Sequence, residues 1–244
     1  MNFIGNKFFL IIETVLYLGF LSLDICGFFV CSAYLKYSAI VLLFFFVFIR
    51  SFQLKKSFLI PISLGFSVFA DFFLLFSSNY IPGLLAFLIV QGILFVRLHE
   101  VFFMRFQLQL KILAILLVCG MISYIVFSIR FDVVTALALL YFFCFLNNII
   151  LAVFQIIVNA KWKNKSMLLF TLGLFLFFLC DIHVGLHNLS TYMDKSNLGL
   201  YRMGNWFYFA MWFFYLPGQM MIGMSNLLFT KNTKNTCKSE HKMI

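Results

Sequence analysis

Apolar residues run along this chain in blocks close to bilayer length, near residues 8 to 32, 37 to 50, 57 to 77, 81 to 97, 111 to 129, 133 to 159, 166 to 187 and 205 to 229. A membrane-crossing helix needs about 20 predominantly apolar residues. The second block falls short of that, and its helix is expected to extend outward through Tyr34 and Lys36, with the lysine reaching for lipid headgroups. No ten-residue segments of alternating polarity are visible, which argues against an outer-membrane barrel as the way to satisfy the backbone in lipid. The expected fold is an all-α integral membrane bundle of eight transmembrane helices.

Composition agrees with the pattern. Hydrophobic residues make up 64% of the 244 and charged residues 11%, and 37 are phenylalanine, far from the usual soluble domain. A formal charge of +10 could suggest nucleic acid in a soluble chain, but its distribution points elsewhere. Lys7, the Arg50 to Lys56 group, Arg97, Arg105, Lys111, the Lys161 to Lys165 group and the four C-terminal lysines all fall on one side of an eight-helix layout. Only Lys36, Arg130, Lys195 and Arg202 fall on the other. Positive residues collect on the cytoplasmic side, so both termini are expected to be cytoplasmic, with membrane lipids as neighbours and no nucleic-acid partner. Residues 1–230 form one expected domain and 231–244 a basic cytoplasmic tail. The first block is too long for a signal-peptide core, contains Glu13 and Asp24 and lacks a small-residue cleavage site, so it is expected to stay as a helix. In the 98–110 connection, Phe102, Phe103 and Phe106 lie near one helical face, the pattern of an interfacial helix. The topology fits a bacterial inner membrane or an endoplasmic reticulum membrane.

Two acidic residues change the picture. Asp71 and Asp181 sit deep in the third and seventh blocks, whose helices run in the same direction in this layout. Each lies on the order of 20 Å from its cytoplasmic start at 1.5 Å per residue. An ionised aspartate at a helix centre costs about 2.5–3.5 kcal/mol, so such residues face the bundle interior, pair or titrate. Two neighbouring carboxyls in this setting cannot both ionise cheaply; one tends to hold a proton while the other stays an anion, which makes an acid and base pair. The architectural alternative is that each is a protonated group hydrogen-bonding its helix to another.

Asp24, Gln91, Asn147, Asn148 and Gln219 are further intramembrane polar groups that could line one cavity, although each alone suits an interhelical hydrogen bond equally well. His183 and His187 share a helical face, but no companion Glu completes an HExxH pattern and no metal site is expected. The six cysteines show no CxxC spacing, which indicates neither a zinc site nor a disulfide framework. The Asn188-Leu189-Ser190 sequon abuts a helix end and is not expected to carry glycan.

The stretch from Leu64 through Gly65, Asp71 and Phe76, followed by Gly83-Leu84-Leu85-Ala86-Phe87-Leu88, resembles the third and fourth helices of the YhhN-like lysoplasmalogenase family. Leu172 to Asp181, with Asn188 downstream, is similar to that family's seventh helix, and Tyr215-Leu216-Pro217-Gly218-Gln219 to its last. The resemblance covers roughly residues 64 to 222. Gln91 stands where a histidine is common, and Cys180 where a serine is usual; both aspartates match.

The resemblance implies hydrolysis of the vinyl ether bond of lysoplasmalogens to a fatty aldehyde and a glycerophospho-ethanolamine or glycerophosphocholine. That chemistry requires protonation of a β-carbon and capture of an oxocarbenium ion by water, for which a general acid and a nearby carboxylate suffice and no metal or organic cofactor is needed. The expected site is thus Asp71 and Asp181, supported by Asp24, Gln91, Asn147, Asn188, Tyr215 and Gln219, with a lysophospholipid as substrate. Paired intramembrane carboxylates equally suit a proton-coupled transporter of a small solute or lipid, although no internal repeat is visible. A noncatalytic lipid-binding or scaffolding protein is the third class.

Overall fold

The computed structural model describes residues 3–77, 79–101, 133–158, 164–192 and 198–228. Among them the chain forms seven helices: α1 (Phe3–Ile25), α2 (Phe29–Gln53), α3 (Leu59–Phe76), α4 (Ile81–Val101), α5 (Val133–Val158), α6 (Lys165–Tyr192) and α7 (Leu198–Leu228). The first six are long and apolar enough to cross a membrane. The sequence of α7, the longest, is diluted by Arg202, Asn205, Gln219 and Asn226, and it is not in that set. Seven of the eight expected helices thus have a counterpart. The other, at 111–129, lies outside the described residues, as do residues 102–110 of the preceding connection and the tail at 231–244.

The first apolar block does not form one helix to its end. α1 stops at Ile25, and Gly27, at φ +79°, takes the left-handed conformation that glycine adopts without a Cβ penalty. The Gly27 amide donates to the Asp24 carbonyl at 3.2 Å and the Phe28 amide to the Leu23 carbonyl at 2.9 Å, a Schellman closure of the helix. Apolar residues on both sides of Gly27 disguise this turn. Phe29 onward belongs to α2, which therefore extends even further outward than its apolar block suggested.

The bundle is arranged for a lipid solvent. Phe8, Ile11, Val15, Phe45, Phe48, Phe52 and Phe69 are exposed, whereas Glu13, Asp24, Lys36, Asp71, Gln91, Asn148 and Gln219 are buried. Polar groups inside and apolar groups outside are what hydrocarbon surroundings demand. The main core joins Leu43 and Val47 of α2, Leu64 of α3, Leu94 of α4, Phe145 of α5, Leu174 and Phe177 of α6 and Ile222 of α7. α6 and α7 approach closely through glycine: a Cβ on Gly173 would meet the Gly218 carbonyl and the Ile222 amide nitrogen at 2.9 Å, and one on Gly218 the Phe177 nitrogen at 2.9 Å. Small residues let membrane helices pack backbone to backbone in this way.

Candidate active site

Asp71 lies on the inward face of α3, five residues before the helix ends, and is 3% exposed. Its Oδ2 accepts a 2.6 Å hydrogen bond from the Tyr215 hydroxyl of α7. Asp181 lies on α6, and its Oδ2 accepts a 2.6 Å hydrogen bond from the Tyr141 hydroxyl of α5. Each carboxyl thus has a tyrosine of its own, delivered by a different helix.

The two pairs are linked through buried side chains. Cys180, beside Asp181 on α6, is buried. Aromatic rings join the two tyrosines: Phe87 packs 5.9 Å from both Tyr141 and Phe177, and Phe177 packs 5.6 Å from Tyr215. Phe145 adds a second link, 5.9 Å from Tyr141 and 4.9 Å from Phe177. Four helices therefore bring two carboxyls and two phenols into one apolar, aromatic-walled region of the bundle. A family model for the YhhN family matches residues 31–226, from the start of α2 almost to the end of α7.

The chain belongs to the YhhN family. No curated protein and no solved structure matches it. The part of this YhhN chain that matches contains both aspartates and both tyrosines, and begins after α1.

Around the two pairs stands a second layer. The Asn148 side-chain amide donates to both the backbone carbonyl and Oε1 of Gln91 at 2.9 Å. Gln219 is one turn beyond Tyr215 on the same face of α7, and Ser67 one turn before Asp71 on α3. Both are buried, and Gln219 Nε2 and Ser67 Oγ have no hydrogen-bond partner among the described residues. Asn147 is buried as well, but of the adjacent asparagines it is Asn148 whose hydrogen bonds to Gln91 are seen. Tyr141 and Asn148 were not singled out as a pair from sequence. Their separation of seven residues, two helical turns, places them on one face of α5 and is the signal that could have found them.

Other expected site residues lie elsewhere in the YhhN chain. Asn188 is exposed, seven residues and so about 10 Å along α6 from Asp181. Asp24 forms an ion pair with Lys36, Nζ to Oδ2 2.8 Å. This overturns the expectation that Lys36 reaches for headgroups: its side chain is buried, because Asp24 and the Tyr208 hydroxyl solvate the ammonium inside the bundle. The two histidines have separate partners. Nδ1 of His183 bonds the Leu179 carbonyl at 2.7 Å, and Nδ1 of His187 the Gly204 carbonyl at 2.9 Å.

Proposed function

We propose that this YhhN protein is a membrane-embedded ether hydrolase that cleaves the vinyl ether of lysoplasmalogens, with Asp71 and Asp181 as the acid and base pair. The observation that carries this reading is that two carboxyls inside the bundle are each held by a tyrosine of their own at 2.6 Å, and that the rings of Phe87 and Phe177 join those two tyrosines. One carboxyl donates its proton to the β-carbon of the vinyl ether, and the lone pair of the ether oxygen makes the α-carbon an oxocarbenium centre. The second carboxylate stabilises this cation and takes a proton from the water that attacks it. The resulting hemiacetal collapses to a fatty aldehyde and a glycerophospho-ethanolamine or glycerophosphocholine.

Tyr141 and Tyr215 fix the carboxyl orientations, and the faces of Phe87, Phe145 and Phe177 favour a developing cation. The acyl-like alkenyl chain stays in apolar surroundings throughout. On this reading the full chain crosses the membrane eight times with both termini in the cytoplasm, and the headgroup lies toward the non-cytoplasmic leaflet.

The test is fatty aldehyde release from a lysoplasmalogen by purified protein, beside folded Asp71→Asn and Asp181→Asn variants. Release that either substitution lowers at least 100-fold supports the pair. No release by folded wild type with either headgroup, or release by both variants unchanged from wild type, sinks it. Proton-gradient-dependent substrate accumulation without aldehyde would replace it with a carrier.

A further inference from the structure

The two aspartates have different neighbours. On its far side from α6, α7 runs antiparallel to α3 and touches it at two levels. At one, the Tyr215 hydroxyl donates to Asp71 Oδ2 at 2.6 Å. At the other, a Cβ on Gly223 would meet Leu64 Cδ1 at 3.4 Å. Ser67 lies midway between Leu64 and Asp71 on α3, and Gln219 midway between Tyr215 and Gly223 on α7. Residues three or four apart share a helix face, so these two polar side chains occupy the level in between, one turn from the Asp71–Tyr215 bond.

Both are shut away from the surroundings, Ser67 at 0% and Gln219 at 2% exposure, and neither Ser67 Oγ nor Gln219 Nε2 has a hydrogen-bond partner among the described residues. The bond from Tyr215 occupies Oδ2 of Asp71 and leaves Oδ1 to accept another. Buried polar groups are almost always bonded, and where protein does not serve them an ordered water does, typically with about three hydrogen bonds of its own. Asp181 has no such company. One turn from it on α6 stand Phe177, Phe178, Val184 and Gly185. The polar pair on that side, Asn148 with Gln91, begins seven residues from Tyr141, about 10 Å along α5, and its members bond to each other.

We propose that Ser67 and Gln219 position the water that attacks the oxocarbenium carbon, which makes Asp71 the base and Asp181 the acid, a division of labour that rests on the hydrolase reading. The water donates one proton to Asp71 Oδ1 and the other to Ser67 Oγ, and it accepts from the Gln219 amide. Its remaining lone pair is the one that forms the bond to carbon. As that bond forms, the first proton passes to Asp71 and the π electrons of the oxocarbenium return to the ether oxygen, which gives the hemiacetal. Collapse restores both carboxyls. The hemiacetal hydroxyl gives its proton to Asp181, left anionic when it protonated the β-carbon, and Asp71 gives its proton to the departing glyceryl oxygen.

Methanol, as a competing nucleophile, provides the test. An oxocarbenium ion captured by methanol becomes a mixed acetal, so the ratio of acetal to aldehyde reports how firmly water is held at the carbon when the cation forms. Full-length protein in detergent is given a lysoplasmalogen and a fixed, non-denaturing concentration of methanol, and both products are quantified by mass spectrometry. Wild type is expected to release aldehyde with little acetal. Ser67→Ala and Gln219→Met, each checked for folding, are expected to lower kcat roughly tenfold or more, to leave KM within about twofold, and to raise the acetal-to-aldehyde ratio roughly fivefold or more. Ser63→Ala is the control: Ser63 is one turn further along α3, its hydroxyl already donates to the Ile60 carbonyl at 2.8 Å, and its variant is expected to match wild type in all three. Folded Ser67 and Gln219 variants with wild-type kcat overturn the water site, and so does a lowered kcat at an unchanged product ratio, which is what a packing defect would give. In either case aldehyde release by wild type leaves the hydrolase reading standing. No aldehyde from folded wild type takes both down. Residual activity of Asp71→Asn that falls as pH is lowered, rather than as it is raised, overturns the assignment of the base.

Discussion

The Tyr17 hydroxyl of α1 donates a 2.9 Å hydrogen bond to the backbone carbonyl of Phe213 on α7. Phe213 is four residues before Pro217, which lies inside α7 and has no N–H to offer that carbonyl. A side chain from a neighbouring helix thus supplies the bond that the proline withholds. It also fastens α1, which precedes the family match, to the helix that carries Tyr208, Trp212 and Tyr215.

Tyr17→Phe should destabilise the protein by about 1 kcal/mol, the usual net worth of such a hydrogen bond. Pro217→Ala restores a backbone donor, so the cost of Tyr17→Phe should shrink in that background. Denaturation of the four proteins of this cycle in one detergent measures the coupling, and equal costs in both backgrounds would contradict the relationship.

Gly173 and Gly218 predict a different kind of loss. A methyl at either position meets backbone atoms at 2.9 Å, which cannot rotate away as a side-chain end can. Gly218→Ala and Gly173→Ala should each cost about 1–3 kcal/mol by overpacking. Because α6 carries Asp181 and α7 carries Tyr215, aldehyde release should fall further than the loss of folded protein accounts for. The comparison is activity per folded molecule. Gly92→Ala is the control, since a Cβ there meets nothing within 4 Å.

What the sequence revealed and what it hid divide along physical lines. Block length and the positions of Asp71 and Asp181 were legible, because a carboxyl in a long apolar run has only the bundle interior to face. The turn at Gly27 was not, since Phe28, Phe29 and Val30 continue the hydrophobic signal straight through it. Nor was the fate of Lys36. Hydropathy assigns a lysine near a helix end to the headgroups, and only the register between α1 and α2 reveals that Asp24 lies opposite. Tyr141 was hidden for a third reason: among so many aromatic residues its ring is unremarked, and its hydroxyl matters only because α5 turns it toward α6.

Tyr141→Phe and Tyr215→Phe keep the ring packing and remove one donor each from Asp181 and Asp71. A hydrogen bond to a charged group is worth about 1.5–3 kcal/mol, so loss of the phenol on the ionised carboxyl should lower kcat/KM for aldehyde release roughly 10- to 100-fold, and loss of the one on the protonated carboxyl, worth about 0.5–1.5 kcal/mol, roughly 2- to 10-fold. Thermal stability should change much less than it would for loss of the ring. Wild-type kinetics in both variants would show that the phenols only fill space.

The acid and base roles can be separated by pH. Cleavage by this pair needs one carboxyl protonated and the other ionised at the same moment. Raising the pH strips the acid and lowering it neutralises the base, so kcat/KM should be bell-shaped, its two limbs belonging to the pair rather than to either residue. Asparagine can neither give that proton nor carry that charge, so the residual activity of each variant should keep one limb only. If Asp71 is the acid, Asp71→Asn retains the base and loses activity only as pH falls, while Asp181→Asn retains the acid and loses activity only as pH rises. Exchanging the roles exchanges the limbs. The opposite responses of the two variants are therefore the signature of divided labour, and two variants that keep the same limb, or the whole bell, would mean that the carboxyls do not share the reaction between them.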